Sequence, residues 1–246
     1  MENKKSYIYY AAVIMCLSAL PVISNINAYN VYGEKDIQKI TKDNGEEKIL
    51  FIVDFSNSMN DYIGERRKID IAISSLASIA SKLSPEVKTG LRVYGHKYGF
   101  NQILGCRATD LVSPVLPNNT SNIYGILSKL HATGWTPITR SLKEAVTNDF
   151  AGISGKKRII LLTDGEENCD ESPCEYAINL VQNRDDIKID VIAFALDNNV
   201  AEAQLKCTAL VTSGKLYHAN DAASLANSLE KALNVTTEVQ GTVIKK

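Results

Sequence analysis

Residues 49–59 read ILFIVDFSNSM, and this stretch decides the fold. Ile49 to Val53 form an unbroken apolar run, as in a strand buried on both faces of a parallel sheet. Asp54 ends the run, and Ser56 and Ser58 follow at alternate positions. A second joint of this kind lies at 159–167, IILLTDGEE, where Ile159 to Leu162 lead to Asp164. Between them, TGWTPITRSL (133–142) holds Thr136. Ligands of open parallel sheets bind outside the carboxyl ends of the strands, so these five residues are expected on one edge.

Their chemistry suits one hard divalent cation. Mg²⁺ takes six oxygens in near-octahedral array and sheds water reluctantly, so a protein offers it few carboxylates, some hydroxyls, and room for waters. Two aspartates and three hydroxyls meet that demand, and they balance the ion's charge. Histidine or cysteine, which favour zinc and softer metals, is absent from these motifs. The predicted metal ligands are therefore Asp54, Ser56, Ser58, Thr136 and Asp164, with Mg²⁺ or Mn²⁺ as the ion. One coordination position stays open for an outside anionic oxygen. Each piece alone has a plainer use: Ser56 and Ser58 as helix caps, Thr136 with Pro137 as a helix start, Asp164–Gly165 as a turn. Their joint placement argues for a site, because capped turns have no reason to converge above one sheet.

At these residues the chain resembles the von Willebrand factor type A (VWA) family, whose metal-ion-dependent adhesion site has the pattern Asp-x-Ser-x-Ser, a distant Thr, and a later Asp followed by Gly. The resemblance runs from about Glu47 to Val235 and includes GWTP around Thr136 and TDGEE around Asp164. It implies a doubly wound (Rossmann-like) sheet with helices on both faces. It further implies a metal on the sheet's upper edge and a protein partner whose acidic side chain binds that metal. In the family, contact of the threonine with the ion, direct or through water, tracks the binding-competent state.

Periodicity along the chain fits such an α/β fold. Strands are predicted at Lys48–Asp54, Lys88–Gly95, Thr109–Val115, Lys157–Thr163, Lys188–Leu196 and Lys215–His218. Helices are predicted at Arg66–Leu83, Ser121–Leu130, Ile138–Phe150, Pro173–Arg184, Val200–Thr212 and Ala222–Leu233. The alternation argues for a mostly parallel sheet, and the early pair of strands argues for one antiparallel edge strand.

The 246 residues carry 27 basic and 28 acidic side chains, which leaves no electrostatic footprint for nucleic acid. Lys4 and Lys5 precede an apolar stretch from Tyr7 to Ile23, and a polar region ends at Ala28, the layout of a secretory signal. Residues 1–28 are read as that signal, 29–46 as a linker, 47–235 as the VWA domain and 236–246 as a tail. An uncleaved membrane anchor is the alternative for the first segment, giving membrane association. A lipid anchor at Cys16 fits poorly, because a lipoprotein signal wants a small residue where Met15 stands.

Beyond the leader remain Cys106, Cys169, Cys174 and Cys207, an even number that suits disulfides in an exported, periplasmic or secreted protein. Reduced buried cysteines and zinc are the competing uses. The proposed topology puts the loops of Cys106 and Cys169 on the metal-bearing edge and the helices of Cys174 and Cys207 side by side. That favours Cys106–Cys169 with Cys174–Cys207 over a local Cys169–Cys174 bridge.

His96, His131 and His218 fall in no catalytic motif, and neither a Gly-x-Ser-x-Gly elbow nor a phosphate-binding Gly-Lys-Ser/Thr loop occurs. Glu166, Glu167, Asp170 and Glu171 read either as a solvated loop or as a rim beside Asp164, and Trp135 either as an exposed anchor or as packing beneath its loop. Two functions follow from different classes. One is a non-enzymatic binding module with no small-molecule substrate, whose cation bridges to an acidic group on a partner. The other is a metal-dependent hydrolase or phosphoryl-transfer enzyme using Asp54, against which stand the missing general base and the Ser at position 56 where an aspartyl phosphatase has a second Asp.

Overall fold

Residues 48–233 are described by the structure, a computed structural model; the expected leader (1–28), linker (29–46) and tail (236–246) lie outside them. The described chain opens with β1 (Lys48–Asp54), a small hairpin of β2 (Tyr62–Ile63) and β3 (Arg66–Arg67), α1 (Lys68–Ala80), β4 (Lys88–Tyr94), α2 (Gln102–Gly105) and β5 (Thr109–Leu116). It continues with α3 (Thr120–Leu127), α4 (Ile138–Glu144), β6 (Lys157–Thr163), α5 (Pro173–Val181), β7 (Ile187–Phe194), α6 (Asn199–Val211), β8 (Leu216–Ala219) and α7 (Ala222–Leu233).

Six strands form one sheet in the order β5-β4-β1-β6-β7-β8. Only β5 runs antiparallel, at the edge beside β4. From β1 the chain winds outward through β4 to β5, then returns to the other side of β1 at β6 and winds out to β8. That reversal leaves a crevice at the carboxyl ends of β1 and β6, the switch point where doubly wound sheets bind ligands.

Every residue of β1 is buried, as its apolar run requires of a central strand. Alternation along it assigns the two faces. Ile49, Phe51 and Val53 pack with Ile69 and Leu76 of α1, Ile123 of α3 and Leu225 of α7. Leu50 and Ile52 turn the other way, onto Leu142 of α4, Leu180 of α5 and Leu205 of α6. Each such side chain contributes about 1.5–3 kcal/mol on burial, so the sheet is a stiff base for the loops above it.

Several boundaries differ from the sequence-based expectations. α1 begins at Lys68 rather than Arg66, because the arginines pair in the small hairpin and the Lys68 N–H donates to the Asp61 carbonyl at 2.8 Å. α2 was not anticipated; the Asn101 side chain caps it by accepting the Leu104 N–H at 3.0 Å. The expected helix 138–150 is α4 followed by a wider π turn over Ala145–Asp149. That turn carries Asp149 to Arg92, which donates two bonds of 2.6 Å to it. Among the described residues no helix is long and apolar enough to cross a membrane.

Candidate metal centre

Three loops meet above the crevice between β1 and β6, and backbone bonds lock them together. Gly95, just past β4, is the hinge of this arrangement. Its carbonyl accepts the N–H groups of Thr133 at 3.0 Å and Gly134 at 2.6 Å. A Cβ at Gly95 would lie 2.4 Å from the Ser56 nitrogen, and its φ of 74° is one that side chains rarely adopt, so only glycine lets β4 pass this close. Gly134 in turn forms a parallel bridge with Ser56 and accepts the Asn57 N–H at 3.0 Å. The third loop joins through Asn168, whose side-chain oxygen accepts the Thr136 N–H at 2.7 Å.

Four of the five predicted residues form one hydrogen-bonded chain. Asp54 is fully buried and accepts the Ser56 N–H on Oδ1 at 2.6 Å and the Thr163 hydroxyl on Oδ2 at 2.7 Å. The hydroxyls of Ser56 and Ser58 lie 3.0 Å apart, and Ser58 donates to Asp164 Oδ1 at 2.7 Å. Thr136 is buried on the adjoining loop, positioned through Asn168 and Gly134. The helix-cap uses of Ser56 and Thr136 are not met, and Asp164 does more than close a bend. Ser56 precedes a 3-10 turn without capping it by its side chain, the residue capping α4 is Pro137, and the Asp164 carboxylate reaches across 106 positions to Ser58.

The electrostatics show a surplus of negative charge. Burial, then the neighbouring charge of Asp164, raises Asp54 to about 6 against the hydrogen bonds from Ser56 and Thr163. Beside it the Tyr94 hydroxyl is buried without a hydrogen-bond partner and is raised well above its ordinary range, first by burial and then by the charge of Asp54. Among the described residues one cation faces this pair of aspartates: Lys68 Nζ lies 2.8 Å from Asp164 Oδ2. Lys68, Thr163 and Asn168 are thus parts of the centre that the motif does not name. Thr163 and Asn168 flank Asp164 in TDGEEN, whereas nothing local marks Lys68, 96 positions away.

The surroundings resolve other expectations. The acidic cluster divides: Glu166, Asp170 and Glu171 are exposed, Glu171 pairing with Lys143 at 2.5 Å, whereas the half-buried Glu167 accepts the N–H groups of Thr139 at 2.7 Å and Cys169 at 3.0 Å. Trp135 packs beneath its loop, its ring so close to Gly105 that a Cβ there would come within 2.2 Å of it. His96 is a packing histidine held by Asp110 at 2.8 Å. Cys106 pairs with Cys169 and Cys174 with Cys207, at Cα–Cα distances of 5.4 and 5.3 Å, so the local Cys169–Cys174 bridge does not form. Among the described residues no three His, Cys, Asp or Glu side chains gather in a metal-binding group.

The model of the von Willebrand factor type A domain matches residues 48–232. The chain belongs to the VWA family. An uncharacterized Bacillus subtilis (strain 168) protein, YwmD, is 32% identical over 199 residues, covering 78% of this chain and 88% of the relative. Among solved structures, a von Willebrand factor type A protein from Catenulispora acidiphila superposes with a TM-score of 0.61 at 21% identity, over 76% of this chain and 42% of that one. Proximal thread matrix protein 1 of the mussel byssus, solved with a zinc-occupied MIDAS motif, gives a TM-score of 0.60 at 18% identity, over 77% of this chain and 45% of its own. These structures share the VWA fold with this chain.

Proposed function

We propose that this VWA domain, read as residues 47–235, is an exported, non-enzymatic binding module. In this reading Asp54, Ser56, Ser58, Thr136 and Asp164 hold one divalent cation, Mg²⁺ or Mn²⁺, and the cation receives an acidic side chain of a partner protein. The observation that carries the proposal is the buried, hydrogen-bonded chain from Asp54 through Ser56 and Ser58 to Asp164. The side-chain atoms it offers an ion are all oxygens, and it gathers more negative charge than its protein neighbours neutralise, which is what a hard divalent ion compensates. When bound, the ion supplies a Lewis-acidic position for an outside carboxylate. The zinc-occupied motif of the mussel protein, on the same fold, supports divalent binding here. Export is supported by the two disulfides, which persist mainly outside reducing compartments. Residues 1–28 serve as the export signal in this reading, either cleaved or kept as an anchor.

The test starts from a partner retained by the protein from the cell-envelope fraction in Mg²⁺. Excess chelator should release it and restored Mg²⁺ should recover it, while Thr136→Ala should weaken partner retention more than Mg²⁺ affinity. A partner that stays bound in chelator and ignores Thr136→Ala contradicts metal-mediated binding.

A further inference from the structure

We propose that Lys68 is a resident second cation of the metal centre, whose ammonium shares Asp164 with the bound ion, weakens metal binding, and leaves the loaded centre net positive toward an anionic partner. This rests on the metal-site reading above and adds to it a residue that lies outside the five-residue motif.

The geometry is specific. Lys68 Nζ lies 2.8 Å from Asp164 Oδ2, while Asp164 Oδ1 accepts the Ser58 hydroxyl at 2.7 Å. The two oxygens thus face different neighbours, and one carboxylate can serve both. The lysine side chain is 12% exposed and that of Asp164 is 0% exposed, so solvent screens the pair little. Asp61, the other carboxylate near the ammonium, is 3.9 Å away and 71% exposed, and its charge is largely screened.

Lys68 is also badly placed for a merely structural role. It is the first residue of α1, where the helix dipole favours negative charge and disfavours an ammonium. Asp70 already supplies the acidic group of that first turn. A buried ion pair is in addition a weak source of stability, because the cost of desolvating two charges offsets most of their attraction. The position makes sense as electrostatic tuning. Asp54 and Asp164 contribute two negative charges and Lys68 one positive, leaving one negative charge to meet a divalent ion. The loaded centre then carries a net charge of about +1 rather than zero: a neutral ligand gains little from that surplus, a carboxylate gains much.

The test is a Mg²⁺ titration by calorimetry of the purified, oxidised protein and of its Lys68→Met and Lys68→Arg forms, with the thermal midpoint of each recorded in chelator. Removing a like charge a few ångströms from a divalent ion should tighten Mg²⁺ binding on the order of tenfold even at the permittivity of water. Lys68→Met should therefore bind Mg²⁺ about tenfold more tightly, and Lys68→Arg, which keeps the charge, should show no such gain. If Lys68→Met does not fold, Lys68→Gln replaces it with the same expectation. Equal or weaker Mg²⁺ binding by a folded, uncharged variant overturns the role of Lys68 while leaving the metal site intact. Absence of Mg²⁺ binding in every form overturns the metal site itself, and this inference with it.

Discussion

Asp149 and Asp164 are both buried carboxylates touching a basic side chain, yet they sit in opposite electrostatic settings. Asp149 meets Arg92 in a two-pronged pair with both bonds at 2.6 Å, one charge against one, and the account closes there. Asp164 meets Lys68 at 2.8 Å, but the same crevice holds Asp54, fully buried and, among the described residues, without a basic partner of its own. The first arrangement ties the π turn after α4 to β4. The second leaves negative charge gathered at a switch point, and no fold needs that for its own stability. A closed pair reads as scaffold, a surplus as a site.

Deleting one carboxylate from each region should separate the two settings most strongly. Asp149→Ala leaves Arg92 buried and unpaired, and should cost about 3–5 kcal/mol in chemical denaturation. Asp54→Ala, measured in chelator, removes a repelled carboxylate and should change stability by only about 1 kcal/mol, since the lost hydrogen bonds and the relieved repulsion oppose each other. Equal losses at the two positions would mean that the crevice is scaffold as well.

Next in size come the disulfides, one in each setting. Cys106–Cys169 joins two loops at the edge of the proposed site, and Cys174–Cys207 joins α5 to α6, closing 63 and 33 positions of chain. Replacing either pair with serine should cost roughly 3–4 kcal/mol. Only the loss of Cys106–Cys169 should also weaken Mg²⁺ binding, because Cys169 adjoins Asn168, which holds Thr136. Titration of both double variants checks this, and an equal effect on Mg²⁺ from the α5–α6 bridge would contradict it.

The smallest effect concerns pH. Burial raises Glu167 from 4.5 to about 7 against the N–H groups of Thr139 and Cys169 that it accepts. Between those values the folded protein keeps a proton that the unfolded chain has released, so stability is greatest at low pH and falls as pH rises through this window. Glu167→Gln should remove on the order of 1–3 kcal/mol of the difference between pH 4 and pH 8. Asp54, raised for similar reasons, adds a fall of the same sign that persists in the variant. Denaturation at both pH values in chelator measures it, and an unchanged pH slope would contradict the assigned cause.

What could be read from the chain alone follows the range of the physics involved. β1 and β6 were legible because burial on both faces demands an unbroken apolar run, and Asp54 and Asp164 because each closes such a run, Asp54 directly and Asp164 after Thr163. The start of α1 was not, since residues 64–68, GERRK, carry no apolar residue to mark where helical spacing begins, and Gly64 turns the chain into a hairpin of two residues a side. Asn101 could have announced α2 as a cap, but a helix of four residues carries no periodicity to accompany it. Lys68 and Asn168 join the candidate centre through contacts spanning 96 and 32 positions; Asn168 at least lies near Asp164 in sequence, whereas no local pattern points to Lys68. Trp135 was ambiguous for the same reason: its partner, Gly105, is a residue whose only signal is the side chain it lacks.

On the proposed reading, the surplus charge at the crevice exists to hold a metal ion. Calorimetric titration of Mg²⁺ into the oxidised protein and its Asp54→Ala form tests it most directly. One ion should bind the unaltered protein, and none should bind the variant, which keeps its fold but offers a single carboxylate already shared with Lys68. Undiminished Mg²⁺ binding by folded Asp54→Ala would contradict the claim.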